Sequence, residues 1–542
     1  MASTALGTAV AGLLTLASPT SAQRPARAAP ITAEELAGRL RFFSSDLFEG
    51  RQPGTRGEAL ATSYLISELE GFGVRPGARA GWLQPVSILV HDPSPTSPNE
   101  VTIRGRLSRT LEHGRDIRLA NHAAGGKVDL AGELVFVGYG IDAPIYRWND
   151  FEGLDLRGKI AIALLGEPNL PGDTTRFNGF RASRYSWARD KIDEMDRRGA
   201  IGVIWIVGGP LSRSPVTGAR RIADRAAGSG VRFTGNLTDS AMAGLIPASA
   251  GGWVDLKAAA GRPGFRPVPL DLSMAVRFET APRTVATHNV VGVIPGTEPR
   301  RRSEHIVLSA HWDAYGIGPA VKGDSIYNGA LDDGSGVTSL LALARVFAAS
   351  PEPRSLTFLF TTAEEWGLIG AEAFVCSGLL QNDQVVANLN LDDGVELFGP
   401  KRDVAPLGIE LSSLGATVAA VARSKQLRVA VDPFPQEGFF LRADNYPFAR
   451  AGVPALYVAM GTDAVGRPTD WAEHRAKEYM ERQYHRPSDD YETVVADIKG
   501  AQQMAEFTRD LTSMIARAPG RPTWLRGSEF QRGASSGASG CR

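Results

Sequence analysis

The chemistry in this sequence is carried by two histidines and a recurring set of acids. His311 and Asp313 follow the apolar run "IVLSA", Glu364 and Glu365 follow "SLTFLFTT", and Asp392 and Asp393 follow "VVANLNL". Between the first two runs lies "NGALDDGSG", with Asp332 and Asp333, and near the end "YHRPSDDYE" supplies His485 with Asp489 four residues on. Taken singly these are ordinary: "DDGSG" has the composition of a turn and helix cap, and an acidic pair is commonly a solvated surface. Repeated at the ends of apolar runs, they amount to imidazole and carboxylate ligands enough for two metal ions. Such a mixed set suits borderline cations such as zinc better than calcium or magnesium, which prefer all-oxygen shells. In "HWD" the two-residue spacing puts His311 and Asp313 on one face of an extended chain, where the acid can fix the ring tautomer.

The elements that must position these groups change character along the chain. "ITAEELAGRLRFFSSDLFEGR" and "TRGEALATSYLISELEGFGVRPG" read as two amphipathic helices, the second stopped by Gly71, Gly73 and Pro76-Gly77. From about residue 85 to 280 short β-like runs dominate, such as "GELVFVGYG", "GKIAIALLG" and "IGVIWIVGG", with one helical stretch at "ARDKIDEMDRRGA". After about residue 284 strands and helices alternate, and several strands are continuously apolar, as in a sheet covered on both faces. The fold class expected is α/β, a doubly wound mixed sheet interrupted by an inserted β-rich module. In open sheets of this kind sites form beyond the carboxyl ends of strands, where the acids and histidines above fall.

Composition narrows the function. Lysine plus arginine equals aspartate plus glutamate at 59 each among 542 residues, which gives no charge bias toward nucleic acid or an anionic membrane. The two cysteines, Cys376 and Cys541, are too few for a thiolate zinc site, and disulfides are not expected to hold the fold. The first 22 residues lack charge, carry "VAGLLTLA" and end in "SPTSA", which reads as a signal peptide and predicts export, although no basic residue stands near Met1. No other apolar stretch approaches the ~20 residues of a membrane span.

The order H-x-D, D-D-G-S-G, E-E, L-D-D, H-x-P-x-D resembles the co-catalytic zinc exopeptidases typified by bacterial leucine aminopeptidase and aminopeptidase Y. The spacings agree, with 21 residues from His311 to Asp332 and 27 from Glu365 to Asp392, and "RADNYPFARAGVPAL" resembles the segment before the last ligand. The resemblance covers roughly residues 31 to 85 and 284 to 515. It implies the zinc-exopeptidase fold and two zinc ions, with Asp332 bridging, His311 and Asp392 completing one site, and Glu365 and His485 the other. It further implies Glu364 as general base acting on a metal-bridging water, Asp313 and Asp489 as partners of the histidines, and a cis peptide after the bridging carboxylate. Tyr484 is a candidate donor to the tetrahedral oxyanion or a packing aromatic; Arg442 and Asp444 are candidate substrate contacts.

Between these stretches, "DLRGKIAIAL" and "RRGAIGVIWI" resemble a protease-associated domain. The expected organisation is a signal peptide at 1–22, the peptidase's N-terminal part at 31–115, the insert at 116–280, the catalytic part at 281–518 and a flexible tail at 519–542. The function implied is an exported aminopeptidase acting on peptide substrates, without nucleic-acid partners. The alternatives are a carboxypeptidase or dipeptidase on the same scaffold, a glutaminyl cyclase on a related fold, or a receptor-like protein with a dead site.

Overall fold

The computed structural model describes residue 1 and residues 29–541 apart from 106–107, 170–172, 174–175, 178, 180, 212–216, 219, 227, 247–251, 393 and 532–540. The expected signal peptide, Asp393 and most of the Gly/Ser-rich tail therefore lie outside the described residues. Among the described residues no helix is long and apolar enough to cross a membrane.

Helices α1 (Ala33–Phe43) and α2 (Arg56–Gly71) come first, followed by strand β1 (Leu83–Pro93). Thr32 begins α1 as an N-cap, its hydroxyl accepting from the Glu35 N–H at 3.1 Å. The β-rich region holds β2 (Ile117–Asn121), β3 (Lys127–Phe136), β4 (Ile160–Leu164), helix α3 (Ala188–Arg197), β5 (Gly202–Val207) and β6 (Phe233–Thr238). It ends in a single long strand, β7 (Val268–Ile294). Beyond lie β8 (His305–His311), α4 (Gly336–Ala349), β9 (Ser355–Thr361), α5 (Ile369–Cys376) and β10 (Val385–Asn390). Last come α6 (Leu414–Ser424), β11 (Ala455–Tyr457), α7 (Trp471–Arg482) and α8 (Lys499–Arg517).

β7 is the seam of the molecule. Up to Glu279 it pairs with β3 and with Glu100–Arg104; from Thr280 it changes partner to β1, and its last residues pair with β9. Because Glu100–Arg104 hydrogen-bonds to the first part of β7, the β-rich unit begins before residue 100, not at 116 as the sequence suggested. The signal was hidden because one continuous strand serves both units.

In the second unit the strand order is β7-β9-β8-β10-β11, with β9, β8, β10 and β11 parallel. The chain leaves β8, reaches β9 on one side through α4, and then crosses through α5 to β10 on the other. This makes the carboxyl end of β8 a topological switch point, where loops diverge and leave a crevice. Along β8, Ile306, Leu308 and Ala310 face a core shared with α1, α4 and α8, while Val307 faces Ala371, Phe374 and Phe448 on the opposite side. Burial on both faces explains the unbroken apolar runs, and each fully buried Leu or Phe contributes about 1.5–3 kcal/mol. The molecule is thus a mixed α/β protein with helices on both faces of a large mixed sheet.

Two expectations about the C-terminal region are corrected. The tail is docked as far as residue 531: Trp524 donates from Nε1 to the Gly452 carbonyl at 2.9 Å, and Phe530 is buried beside Phe440 and Tyr446. Two large aromatics there offset the ordering entropy that the Gly/Ser-rich residues after them cannot. A disulfide does form, joining Cys376 at the end of α5 to Cys541 across 165 residues. Neither cysteine's spacing could announce it, since the docked segment brings the chain end to α5.

Arg51 ties the first helices to the crevice. Its buried guanidinium donates to the carbonyls of Phe43, Trp312, Asn328 and Gly329 at 2.6–3.1 Å. Arg51→Met leaves those acceptors without a donor and should lower unfolding stability by on the order of 3 kcal/mol, read as a shifted urea midpoint. The unreduced, unfolded protein should titrate with no free thiol, since both cysteines are paired.

Candidate active site

The crevice at the end of β8 gathers the acids and histidines that the sequence scattered over 175 positions. Asp332 sits in the turn entering α4, and the Asp332-Asp333 peptide is cis. Its Oδ1 lies 3.0 Å from His311 Nε2 and its Oδ2 lies 3.2 Å from His485 Nε2. Asp392 Oδ1 stands 3.6 Å from His311 Nε2, and Glu365 Oε2 stands 3.2 Å from His485 Nε2. One carboxylate thus faces two imidazoles, each with a second carboxylate beside it.

Asp333 also comes within 4.8 Å of His311 and Asp392. Its oxygens, however, accept from the main-chain N–H groups of His311 at 3.0 Å and Gly336 at 2.9 Å. Those bonds close the start of α4 and engage both oxygens of Asp333.

The supporting contacts differ from expectation at two residues. His311 Nδ1 lies 3.0 Å from the main-chain carbonyl of Asp313, whereas the Asp313 carboxylate is 3.7 Å away and accepts from the Glu364 N–H at 3.1 Å. Asp313 therefore orients His311 through its backbone and uses its side chain on the Glu364 loop, because the chain curls after β8 instead of staying extended. Asp489 does not partner His485; it accepts from the N–H groups of Leu331 and Asp332 at 2.9 and 3.2 Å and from the Tyr479 hydroxyl at 3.0 Å. It fixes the backbone of the central carboxylate. His485 Nδ1 lies instead 2.9 Å from the Tyr315 hydroxyl, a residue the sequence reading missed because nothing in "HWDAYG" separates it from a packing aromatic.

The electrostatics fit a cation site. Burial alone would raise Asp332, but hydrogen bonds from His311 and His485 outweigh it and hold this carboxyl below its usual range. Burial would likewise depress His485, yet its bonds to Asp332 and Glu365 push it up to about 10, and His311 is raised by the same balance. Burial, reinforced by the charge of Asp332, lifts Glu365 to about 7, and burial raises Glu364 well above the carboxylate range. Buried like charges that draw protons so strongly are stabilised by positive charge, and mixed imidazole and carboxylate donors are the set zinc accepts.

The two glutamates point differently. Glu365 is 3% exposed and faces His485, while Glu364 is 12% exposed with Oε2 3.9 Å from His311 Nε2. Tyr484 stacks on the His485 ring with centroids 3.6 Å apart, and Arg442 donates to its hydroxyl at 3.0 Å. Asp444, expected as a substrate contact, is fully buried and accepts from the Thr361 hydroxyl, so it supports the end of β9. Burial pushes it to about 7.

Residues 289–512 match the model of peptidase family M28, a span that includes His311, Asp332, Glu365, Asp392 and His485. A probable leucine aminopeptidase 2 of Aspergillus fumigatus is 28% identical over 187 residues, 33% of this chain and 34% of that protein. A vacuolar membrane protease of Kluyveromyces lactis is 35% identical over 101 residues, 19% of this chain and 10% of that protein. The chain thus spans from about a tenth to a third of the length of these curated relatives. The structure of an aminopeptidase from an Aneurinibacillus strain aligns with a TM-score of 0.50 at 19% identity, covering 90% of this chain and 95% of that one, a likeness of fold. The segment that resembles peptidase family M28, residues 289–512, is the one that carries both imidazoles and the acids around them.

Proposed function

We propose that this protein is a zinc-dependent aminopeptidase that removes N-terminal residues from peptides. The observation that carries the reading is Asp332, whose two oxygens face His311 and His485 separately at 3.0 and 3.2 Å. His311, Asp332 and Asp392 would hold one zinc ion and Asp332, Glu365 and His485 the second. When bound, such a pair supplies Lewis acidity to the scissile carbonyl and lowers the pKa of an attacking water.

The residues of the chain do the rest. Glu364 takes the proton of the attacking water at its carboxylate and returns it to the leaving amine nitrogen. Its position supports this, since it is the more exposed of the pair and is turned from His485. Tyr484 donates its hydroxyl hydrogen to the developing oxyanion, a role compatible with accepting from Arg442 on the other side of the oxygen. A carboxypeptidase or dipeptidase would need a cation for the substrate's terminal carboxylate, and Arg442, a candidate substrate contact, donates to the Tyr484 hydroxyl. The Cys376–Cys541 disulfide supports an exported setting, because disulfides persist in oxidising compartments.

Carefully prepared protein should contain about two zinc ions per chain and lose hydrolysis of aminoacyl p-nitroanilides in chelator. Protein free of transition metal and indifferent to chelator would overturn the reading. Glu364→Gln should retain zinc while kcat falls on the order of 10² to 10⁴. Glu365→Gln should instead release metal first, seen by elemental analysis after dialysis; like behaviour of the two variants would refute the division of roles.

A further inference from the structure

We propose that Arg189, a residue of the β-rich insert, positions the loop carrying Glu364 and Glu365. The insert thereby holds the base and one candidate ligand in place although it supplies no ligand. The catalytic part of this claim rests on the function proposed above; the structural part does not.

The loop between β9 and α5 is held in an uncommon conformation. Ala363, Gly367 and Leu368 have φ of 53°, 108° and 61°, and a left-handed residue other than glycine costs about 1 kcal/mol or more. Its near end is secured within the second unit: Asn289 accepts from the Thr362 N–H at 2.9 Å and Asp313 from the Glu364 N–H at 3.1 Å. Inside the loop, the Glu364 carbonyl accepts from Gly367 and Leu368 at 2.7 and 2.9 Å.

The crest is gripped from the insert. Arg189 donates from Nη1 to the Gly367 carbonyl at 2.8 Å, and its Nη2 forms an ion pair with Glu372 in the first turn of α5. The planar guanidinium fork thus spans the crest and the helix that follows it, a geometry an ammonium group cannot reproduce. Trp366, the residue after Glu365, lies under the Arg220 guanidinium at 4.6 Å, a second hold from the same unit.

Docking of the insert does not account for this arrangement. α3 is already anchored by Asp190, which accepts from the Tyr446 hydroxyl at 2.7 Å and pairs with Arg450 at 3.2 Å, and by Asp193, which pairs with Arg450 at 2.7 Å. Those contacts reach the segment Asn445–Arg450, whereas Arg189 reaches the loop two residues from Glu365. Displacement of a catalytic group by about 1 Å can cost on the order of 10² in rate.

The test compares Arg189→Met, Arg189→Lys, Glu372→Gln and Asp193→Asn in the full-length protein. Measured quantities are kcat and KM for an aminoacyl p-nitroanilide, zinc content, and amide exchange across residues 362–368. Arg189→Met should lower kcat about 10- to 100-fold with zinc retained and KM nearly unchanged. Exchange across the loop should quicken about tenfold. Arg189→Lys should recover part of the loss, and Asp193→Asn, which touches only the docking contacts, should behave as wild type. Where Arg189→Met does not fold, Arg189→Lys and Glu372→Gln carry the test with smaller losses in the same direction. Wild-type kcat and loop exchange in the Arg189 variants would overturn the proposal, as would an equal loss in Asp193→Asn. A wild-type protein without aminopeptidase activity would sink the proposed function, and loop exchange would still decide the positioning claim.

Discussion

A single carboxylate, Asp332, faces two imidazoles at once, and much of the polar architecture of the second unit follows from keeping it there. Two like charges about 4 Å apart repel by about 4 kcal/mol at an effective dielectric of 20. Asp332, Asp333, Glu364, Glu365 and Asp392 crowd one crevice, so the structure needs cations at its centre and hydrogen-bond donors around it. The donors are mostly backbone: the N–H groups of His311, Leu331, Asp332, Gly336 and Glu364 each meet a buried carboxylate. Such donors stabilise a charge without adding a competing side-chain cation to the metal position.

The sheet makes that crowding geometrically possible. β8 lies between β9 and β10, and the chain turns in opposite directions from it, so three loops open away from one strand end. His311 comes from β8 itself, Glu364 and Glu365 from the loop after β9, and Asp392 from the end of β10. Asp332 enters from the turn before α4, and His485 from the segment after α7. No two of these elements are locally constrained to meet. What brings them together is the long-range parallel pairing, supported by cores on both faces of the sheet.

The parts of this design visible in the sequence are those written in local pattern. Unbroken apolar runs marked the covered strands and acids at their ends marked the crevice, while the resemblance to the zinc exopeptidases was what singled out His311, Asp332, Glu365, Asp392 and His485 from their neighbours. What escaped was non-local. The Asp313 side chain belongs to the Glu364 loop because the chain curls after β8, and no spacing rule encodes that curl. Tyr315 reaches His485 across 170 positions. The disulfide depends on where residues 519–531 dock, and the true start of the insert depends on which strands share β7. Asp444, a candidate substrate contact by its place in the segment that resembles the family, is buried by the fold against Thr361.

The two sides of the crevice are held by different means, and this asymmetry has a consequence for how such a protein can vary. Asp332 is fixed from within its own unit, by Asp489 from beyond α7 and by Arg51, whose guanidinium grips the carbonyls of Asn328 and Gly329 just before it. The Glu364–Glu365 loop draws its near-end support from Asn289 and Asp313 but its crest from arginines of the inserted unit. The contacts that fix Asp332 therefore come from its own unit, whereas the loop of Glu364 and Glu365 also takes contacts from the β-rich unit. On the function proposed above, a β-rich unit coupled in this way can alter the placement of Glu364 and Glu365 together, while His311, Asp332, Asp392 and His485 stay where their own unit puts them.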